Sequence, residues 1–296
     1  MTAASTEAKV PRARRSKSEM ILRELRKAPL TAWFGMIVVS AYVIVALFAP
    51  WIAPYGESEV VSGEPFALWS REFLFGTDQL GRDLFSRMIY AARNSMGIAF
   101  AATAVAFLTG GIIGIVSALL RGWFDQLASR LVDAVMAIPS LIFALMVLAI
   151  FEQPTILNII LVIGLVDATR VFRLTRAVAM NVVALDFVEA ARLRGEKTPW
   201  IVLREIVPNI MPPLVTEFGL RYCFVFLTIS SLSFLGLGMQ PPTADWGLMV
   251  KETATLITYG DITPLLPAGA IALLTVAINF IVDWFLHKTS GLRDGQ

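Results

Sequence analysis

The residues best placed for chemistry are charges in apolar surroundings and one short polar hairpin. Glu217 and Arg221 stand four apart within a long apolar region, so a helix puts both on one face within pairing reach. An ionisable group in hydrocarbon is costly and faces protein or water. The pair can therefore line a pore, contact a second subunit, or act purely as a structural ion pair. Arg170, Arg173 and Arg176 step by three along the end of another apolar run. That pattern suits headgroup contact and helix extension into the cytoplasm better than a solute site. The segment 186–208, DFVEAARLRGEKTPWIVLREIVP, is different in kind. Its Glu189-Ala190-Ala191-Arg192-Leu193 run favours helix, Gly195 breaks it, and Thr198-Pro199 restart a helix at cap and first position. A helical hairpin of this kind either plugs a groove on another protein or is an ordinary solvated connector.

Nucleophilic, metal and nucleotide chemistry find no footing. One histidine (His287) and one cysteine (Cys223) are too few for a conventional metal site or an intrachain disulfide. No Gly-x-Ser-x-Gly elbow occurs. Gly195-Glu196-Lys197-Thr198 lacks the earlier glycine of a phosphate-binding loop, and its lysine is misplaced. The sequence thus predicts no catalytic residue, no metal and no cofactor in this chain. Energy for any transport must come from a partner or an ion gradient.

The elements that position these residues follow from composition. The chain is 56% hydrophobic and only 16% charged, where a soluble domain carries roughly a quarter charged residues. Mean hydropathy is +0.69. Apolar excess on this scale needs lipid as solvent. Residues 31–56, 94–120, 134–151, 222–244 and 262–282 contain no Asp, Glu, Lys or Arg, and each approaches or exceeds a spanning length. A sixth run, 153–166, spans if Asp167 and Arg170 lie near its end. The expected fold is therefore an all-α integral membrane protein with about six transmembrane helices.

Basic residues set the orientation. Lys9, Arg12, Arg14, Arg15, Lys17, Arg23, Arg26 and Lys27 precede the first span, and Arg192, Arg194, Lys197 and Arg204 follow the fourth. Both segments belong inside, giving N-in and C-in topology. A cleaved signal peptide is disfavoured, because the first apolar run is too long and Pro50-Trp51-Ile52 offers no small-residue cleavage site. The expected organisation is a cytoplasmic basic tail at 1–30, helical near 20–27, then a first transmembrane helix and periplasmic loop at 31–93. A membrane domain occupies 94–287, and a short cytoplasmic tail 288–296. In the outer loop Gly76-Thr77-Asp78 reads as a turn leading into a helix cap, and the following helix could lie on the outer surface before entering the membrane. Gly110, Gly111 and Gly114 permit close helix packing. Net charge of only +2 suggests lipid headgroups, not nucleic acid, as the partner of the basic tail.

Glu189-Ala190-Ala191, then Gly195, then Val207-Pro208 in register, resembles the EAA loop of binding-protein-dependent ABC importer permeases. Further stretches resemble the dipeptide, oligopeptide and nickel branch: Phe75-Gly76-Thr77-Asp78-Gln79-Leu80-Gly81-Arg82-Asp83 with Ser86-Arg87, Ile206-Val207-Pro208-Asn209, and Ser231-Leu232-Ser233-Phe234-Leu235-Gly236-Leu237-Gly238 followed by Pro241-Pro242 and Asp245-Trp246-Gly247. The resemblance is to the second-type, C-like subunit. It implies a type I importer core in the bacterial inner (plasma) membrane and a heterodimer with a sister permease. Two ATPase subunits holding ATP and magnesium, and a periplasmic solute-binding protein, complete the expected complex. Glu189, Ala190, Ala191, Gly195 and Pro208 would then couple the ATPase to the membrane helices. The solute is expected to be a peptide, with nickel, opines, glutathione or plant-derived sugars as alternatives. A secondary, ion-coupled transporter and a membrane-embedded enzyme are the competing classes. The first calls for coupling carboxylates and an inverted repeat, the second for a nucleophile–base pair or metal cluster.

Topology gives the first test. In a background lacking Cys223, single cysteines at Ser58 and Thr243 are expected to label from outside intact cells. Those at Ser16 and Thr198 should label only after permeabilisation. Labelling of Thr198 in intact cells would overturn both the six-span arrangement and a cytoplasmic hairpin.

Overall fold

The computed structural model describes residues 28–290, with side chains to 288. The basic tail, its expected helix near 20–27, and the last residues of the C-terminal tail lie outside them. The described residues form helices and connecting loops, with two isolated β-bridges in the outer loop (Val60 to Arg82 and Thr77 to Asp83). In chain order the helices are α1 (Leu30–Leu47), α2 (Ala49–Ile52), α3 (Leu84–Leu120), α4 (Gly122–Met136), α5 (Ser140–Leu148) and α6 (Ile156–Val183). There follow α7 (Asp186–Leu193), α8 (Thr198–Ile201), a π-helical turn (Val202–Ile206), α9 (Val207–Leu235), α10 (Trp246–Thr253), a 3-10 turn (Ala254–Tyr259) and α11 (Leu265–Ser290).

Four helical stretches among the described residues are long and apolar enough to cross a membrane: α1, α3, the continuous run Thr198–Leu235, and α11. The pair α4 and α5 makes a fifth if it counts as one span bent by 88°. The expected fourth span corresponds to α6. Its 28 residues are ample for a bilayer at about 1.5 Å per residue, but Asp167, Arg170, Arg173 and Arg176 keep it out of the apolar set.

Three expectations need correction. The run 134–151 is not one straight helix: it starts inside α4 and turns at Pro139, the N-cap of α5. Proline disfavours the α conformation of the residue before it, which gives the bend its local cause. The gap between the apolar runs ending at 120 and starting at 134 is not a plain connector: it is mostly the amphipathic α4, entered through Arg121 at φ 49°. Finally, α3 runs unbroken from Leu84 over 37 residues, with no separate surface helix, and its cap is Asp83 rather than Asp78. The Asp83 carboxylate accepts from the Ser86 amide at 2.8 Å and from Ser86 Oγ at 2.6 Å, satisfying N-terminal donors that a helix otherwise leaves open.

The centre of the bundle is the pair α3–α6. A Cβ placed on Gly110 would lie 2.3 Å from the Ala168 carbonyl oxygen, and one on Gly114 would lie 3.0 Å from Phe172 O. From the other helix, a Cβ on Gly164 would lie 2.9 Å from Ala102 O. Backbones approach here because side chains are missing, the usual device where hydrocarbon supplies no hydrophobic drive between helices. Around this pair, Phe226, Ile229, Leu232, Trp246 and Leu274 join the main buried core, bringing α9 and α10 onto α3 and α11 onto α9 and α10. On the outside, α1 buries only Ala32 and Gly35. A Cβ on Gly35 would stand 2.4 Å from Ala277 O of α11, and Val39, Tyr42 and Val45 pack against the core from the same helix.

Adjacent glycines supply a controlled test. Gly110→Ala forces backbone apart and should cost about 1–3 kcal/mol. Gly111→Ala meets nothing within 4 Å and gains helix propensity of up to about 1 kcal/mol. Thermal unfolding of the purified protein in detergent should fall in midpoint for the first and hold or rise for the second. Equal midpoints would remove the close α3–α6 contact.

Candidate functional site

The hairpin at 186–208 is built from short, local contacts. Helix α7 buries Val188 and Ala191 completely, against Ala118 of α3, Val182 and Val183 of α6, and Ile201, Ile206 and Ile210 beyond the turn. Its C-terminus closes in two bonds: the Gly195 amide donates to Arg192 O at 2.9 Å and the Glu196 amide to Ala191 O at 3.2 Å. This crossed pair requires a left-handed residue between helix and exit, and Gly195 supplies it at φ 83°. Helix α8 follows with Pro199 in its first turn, but its cap is Lys197, one residue before the expected Thr198. Of the anticipated coupling residues, Ala191 is packed inside, whereas Glu189, Ala190, Gly195 and Pro208 are exposed. The outer face also carries apolar bulk: Leu193 is 83% and Leu203 68% exposed.

The hairpin does not end at Pro208. Residues 198–235 form one continuous helical run, so the second arm of the hairpin is the inner end of a membrane span. The widened π turn at 202–206 sits just before Pro208, where the Val207 amide reaches back to Val202 O. A proline ring crowds the carbonyl four residues earlier, here that of Arg204, and the wider turn relieves it.

Within the membrane, Glu217 and Arg221 do pair, with Arg221 Nε 2.7 Å from Glu217 Oε1. Sequence reasoning missed the rest of this cluster. Asp167 of α6 lies 3.6 Å from Arg221 Nη1 and accepts a hydrogen bond from Arg170 Nη1 at 3.1 Å. Arg221 also stacks over Phe224, its guanidinium carbon 5.0 Å from the ring centre. Between α5, α6 and α9 these residues border a cavity of about 270 Å³, lined by Ser140, Asp167, Arg170, Arg221, Phe224 and Thr228 among others. Asp167 is the sole carboxylate of α6, which was the available signal. The neighbouring arginines are also paired within the chain instead of being left to headgroups: Arg173 bonds Asp133 at 3.0 Å, and Arg176 forms a two-point contact with Asp125.

Outside, the motif residues of 75–87 and 231–247 build one unit. Asp78, Arg82 and Arg87 are buried, and with Glu252 of α10 they form an ion-pair network. Arg82 Nε meets Asp78 at 2.7 Å and Arg87 Nη2 meets Glu252 at 3.1 Å, with cross-contacts of 3.4 and 3.7 Å. Burial pushes the Glu252 carboxyl above its ordinary value, and Arg87 and Arg82 pull against that rise. Asp245 caps α10 through the Leu248 amide at 3.0 Å and accepts from Ser95 Oγ at 2.7 Å, while Trp246 Nε1 donates to Met88 O at 3.1 Å. Gly247 faces Ser230 O so closely that a Cβ would lie 2.2 Å away. These contacts fix a frame for the outer loop, α3 and α10. Among the described residues no group of His, Cys, Asp or Glu could hold a metal ion.

The charge cluster makes an asymmetric prediction. Arg221 serves two carboxylates and Glu217 one cation, so Arg221→Met should destabilise more than Glu217→Gln. The double variant should recover part of the Arg221→Met loss, with a coupling of about 0.5–3 kcal/mol in thermal unfolding. Strict additivity would mean that the two residues act independently.

Comparison with known proteins agrees with this architecture. The family model for the binding-protein-dependent transport system inner membrane component matches residues 110–288, and that for the N-terminal TM domain of oligopeptide transport permease C matches residues 16–64. The dipeptide transport system permease protein DppC of Alkalihalophilus pseudofirmus is 32% identical over 272 residues, 92% of this chain and 86% of that protein. The di/tripeptide permease DppC of Pseudomonas aeruginosa is 36% identical, covering 88% and 85%. The glutathione transport system permease GsiD of Escherichia coli is 31% identical, covering 92% and 87%. A crystal structure of an amino acid ABC transporter with histidines shares the fold at 16% identity and TM-score 0.54, over 69% of this chain and 94% of that one. The chain therefore belongs to the family of binding-protein-dependent inner-membrane transport components, among relatives named as dipeptide, peptide and glutathione permeases.

Proposed function

We propose that this chain is a channel-forming permease subunit of an ATP-driven importer, and that it carries peptides or a similar small solute across the inner membrane. The observation that carries the reading is the exposed apolar face of the α7–α8 hairpin, continuous with a membrane span. Leu193 and Leu203 stand out from a segment whose other face is anchored by Val188 and Ala191. An apolar patch held in place by its own buried side is suited to a groove on another protein. The partner would be an ATPase subunit, two per complex, binding ATP and magnesium. A sister permease would complete the channel and a periplasmic solute-binding protein would deliver the solute. Relatives named for di- and tripeptides support peptide as the solute class. In this reading Glu189, Ala190, Ala191, Gly195 and Pro208 transmit ATPase closure to α9, and the Glu217–Arg221 pair lies near the translocation path or a subunit contact.

Gly195→Pro is the sharp test, because proline fixes φ near −65° where this turn needs 83°. Glu189→Lys reverses an exposed charge without touching the fold. In reconstituted vesicles both should retain the sister permease and the ATPase on pull-down. Stimulation of ATP hydrolysis by loaded binding protein should drop to the unstimulated level. Normal transport by both variants would take the hairpin out of the mechanism.

A further inference from the structure

The cavity between α5, α6 and α9 has more hydrogen-bond donors than acceptors. Arg170 and Arg221 both line it, against one lining carboxylate, Asp167, while Glu217 meets Arg221 from outside the lining. Each guanidinium has five N–H groups in a fixed fork. Arg170 spends one on Asp167 at 3.1 Å and one on Ser140 Oγ at 3.4 Å. Arg221 touches its carboxylates at 2.7 and 3.6 Å, yet its Nε has no partner in hydrogen-bond geometry. With Glu217 counted, two guanidinia face two carboxylates, so the charges balance, but N–H groups of both forks remain unused beside the cavity.

A second observation points the same way. Asp167 is 4% exposed, and its Oδ2 is buried with no hydrogen-bond partner. A buried carboxylate oxygen left unpaired costs free energy, so a donor is wanted at Asp167 as an acceptor is wanted at Arg221. One small group offers both: a carboxylate with an N–H on the adjacent carbon. The last residue of a peptide with a free C-terminus has that arrangement. The volume of about 270 Å³ lies just under the roughly 300–1,000 Å³ of small-molecule pockets, which suits the end of a peptide and not the whole of a long one. Phe224 and Thr228 give the α9 side of the lining one aromatic and one hydroxyl surface.

Resting on the permease reading above, we infer that this cavity is a way-station for the solute, in which Arg170 and Arg221 hold the C-terminal carboxylate of a peptide and Asp167 accepts its amide N–H. The rival source of a carboxylate is an acidic side chain of the sister permease. The two differ in what they predict for a peptide whose C-terminus is blocked.

The test uses the solubilised complex of both permeases with the ATPase, without binding protein, so that the periplasmic partner's own preference does not enter. Equilibrium binding is measured for alanyl-alanine and for its C-terminal amide, and uptake of both is followed in proteoliposomes with binding protein added. The unaltered complex should bind the free acid at least about tenfold more tightly, the scale of a charge-assisted hydrogen bond lost. Arg170→Gln, and independently Thr228→Leu, which keeps every charge but fills the cavity, should reduce that preference to about twofold or less while the sister permease still co-purifies. Equal binding of acid and amide by the unaltered complex overturns the inference, as does an undiminished preference in both variants. Loss of the sister permease from both variants, with acid and amide affected alike, also overturns it and assigns the guanidinia to a carboxylate of that chain. An assembled complex that hydrolyses ATP but carries neither peptide would sink the importer reading, and the binding ratio would still decide this one.

Discussion

A carboxylate surrounded by hydrocarbon persists only beside a cation, and Asp167 has two. Its position is set by α6, whose close approach to α3 through Gly110, Gly114 and Gly164 leaves little freedom in depth or rotation. With α6 fixed, Asp167 draws Arg221 of α9 towards it and keeps Arg170 folded back along its own helix. The same logic extends along α6 to Arg173 with Asp133 and Arg176 with Asp125, which bind α4 across the bend at Pro139. A membrane helix bearing four ionisable groups is tolerable because each is matched within the chain. At the cavity the charges balance too, and what is left over is hydrogen-bonding capacity, the Arg221 Nε and Asp167 Oδ2.

The two ends of the molecule solve different problems. Outside, two arginines and two carboxylates are buried together, and such a network stabilises little in itself because desolvation offsets attraction. Its value is positional: losing any member strands a buried charge, so Asp78, Arg82, Arg87 and Glu252 hold the outer loop, α3 and α10 in one arrangement. Inside, the hairpin is held by small apolar contacts and a single glycine turn, with its charged and bulky groups facing out.

What could be read from the sequence was what is local or periodic. The hairpin was legible because its determinants, a helix-forming run, a left-handed glycine and a proline restart, lie within a few residues of one another. The spans were legible as stretches without charge. Helix α9 extends well before 222 and takes in Glu217 and Arg221, as their helical spacing suggested, and α3 extends before 94 with Arg87 buried against Glu252. No pattern in the chain announces that last contact, made across 165 residues of sequence. The bend at Pro139 was available from proline chemistry, but an uninterrupted apolar run hid it. Asp167 could have been singled out as a lone acid in α6; its partner on α9 could not.

The continuous run 198–235 joins the hairpin, the charge cluster and the outer frame, so its stiffness matters more than that of any other element. Its outer end is tightly set: the Gly236 and Leu237 amides close the helix on Ser233 and Leu232, and Gly247 rests on Ser230. Its inner end is poor in backbone hydrogen bonds. Pro208, Pro212 and Pro213 lack an amide hydrogen, which deprives the carbonyls of Arg204, Pro208 and Asn209 of their helical donors. Side chains strengthen the region only in part, through Asn209 donating to Glu205 O at 2.6 Å and Thr216 to Pro212 O at 3.1 Å. With the π turn at 202–206 immediately before, bending costs least between the hairpin and Glu217. A displacement of the hairpin would therefore reach Arg221 as a change of helix direction across that weak segment, while the outer end stays where Ser230 and the α10 cap hold it.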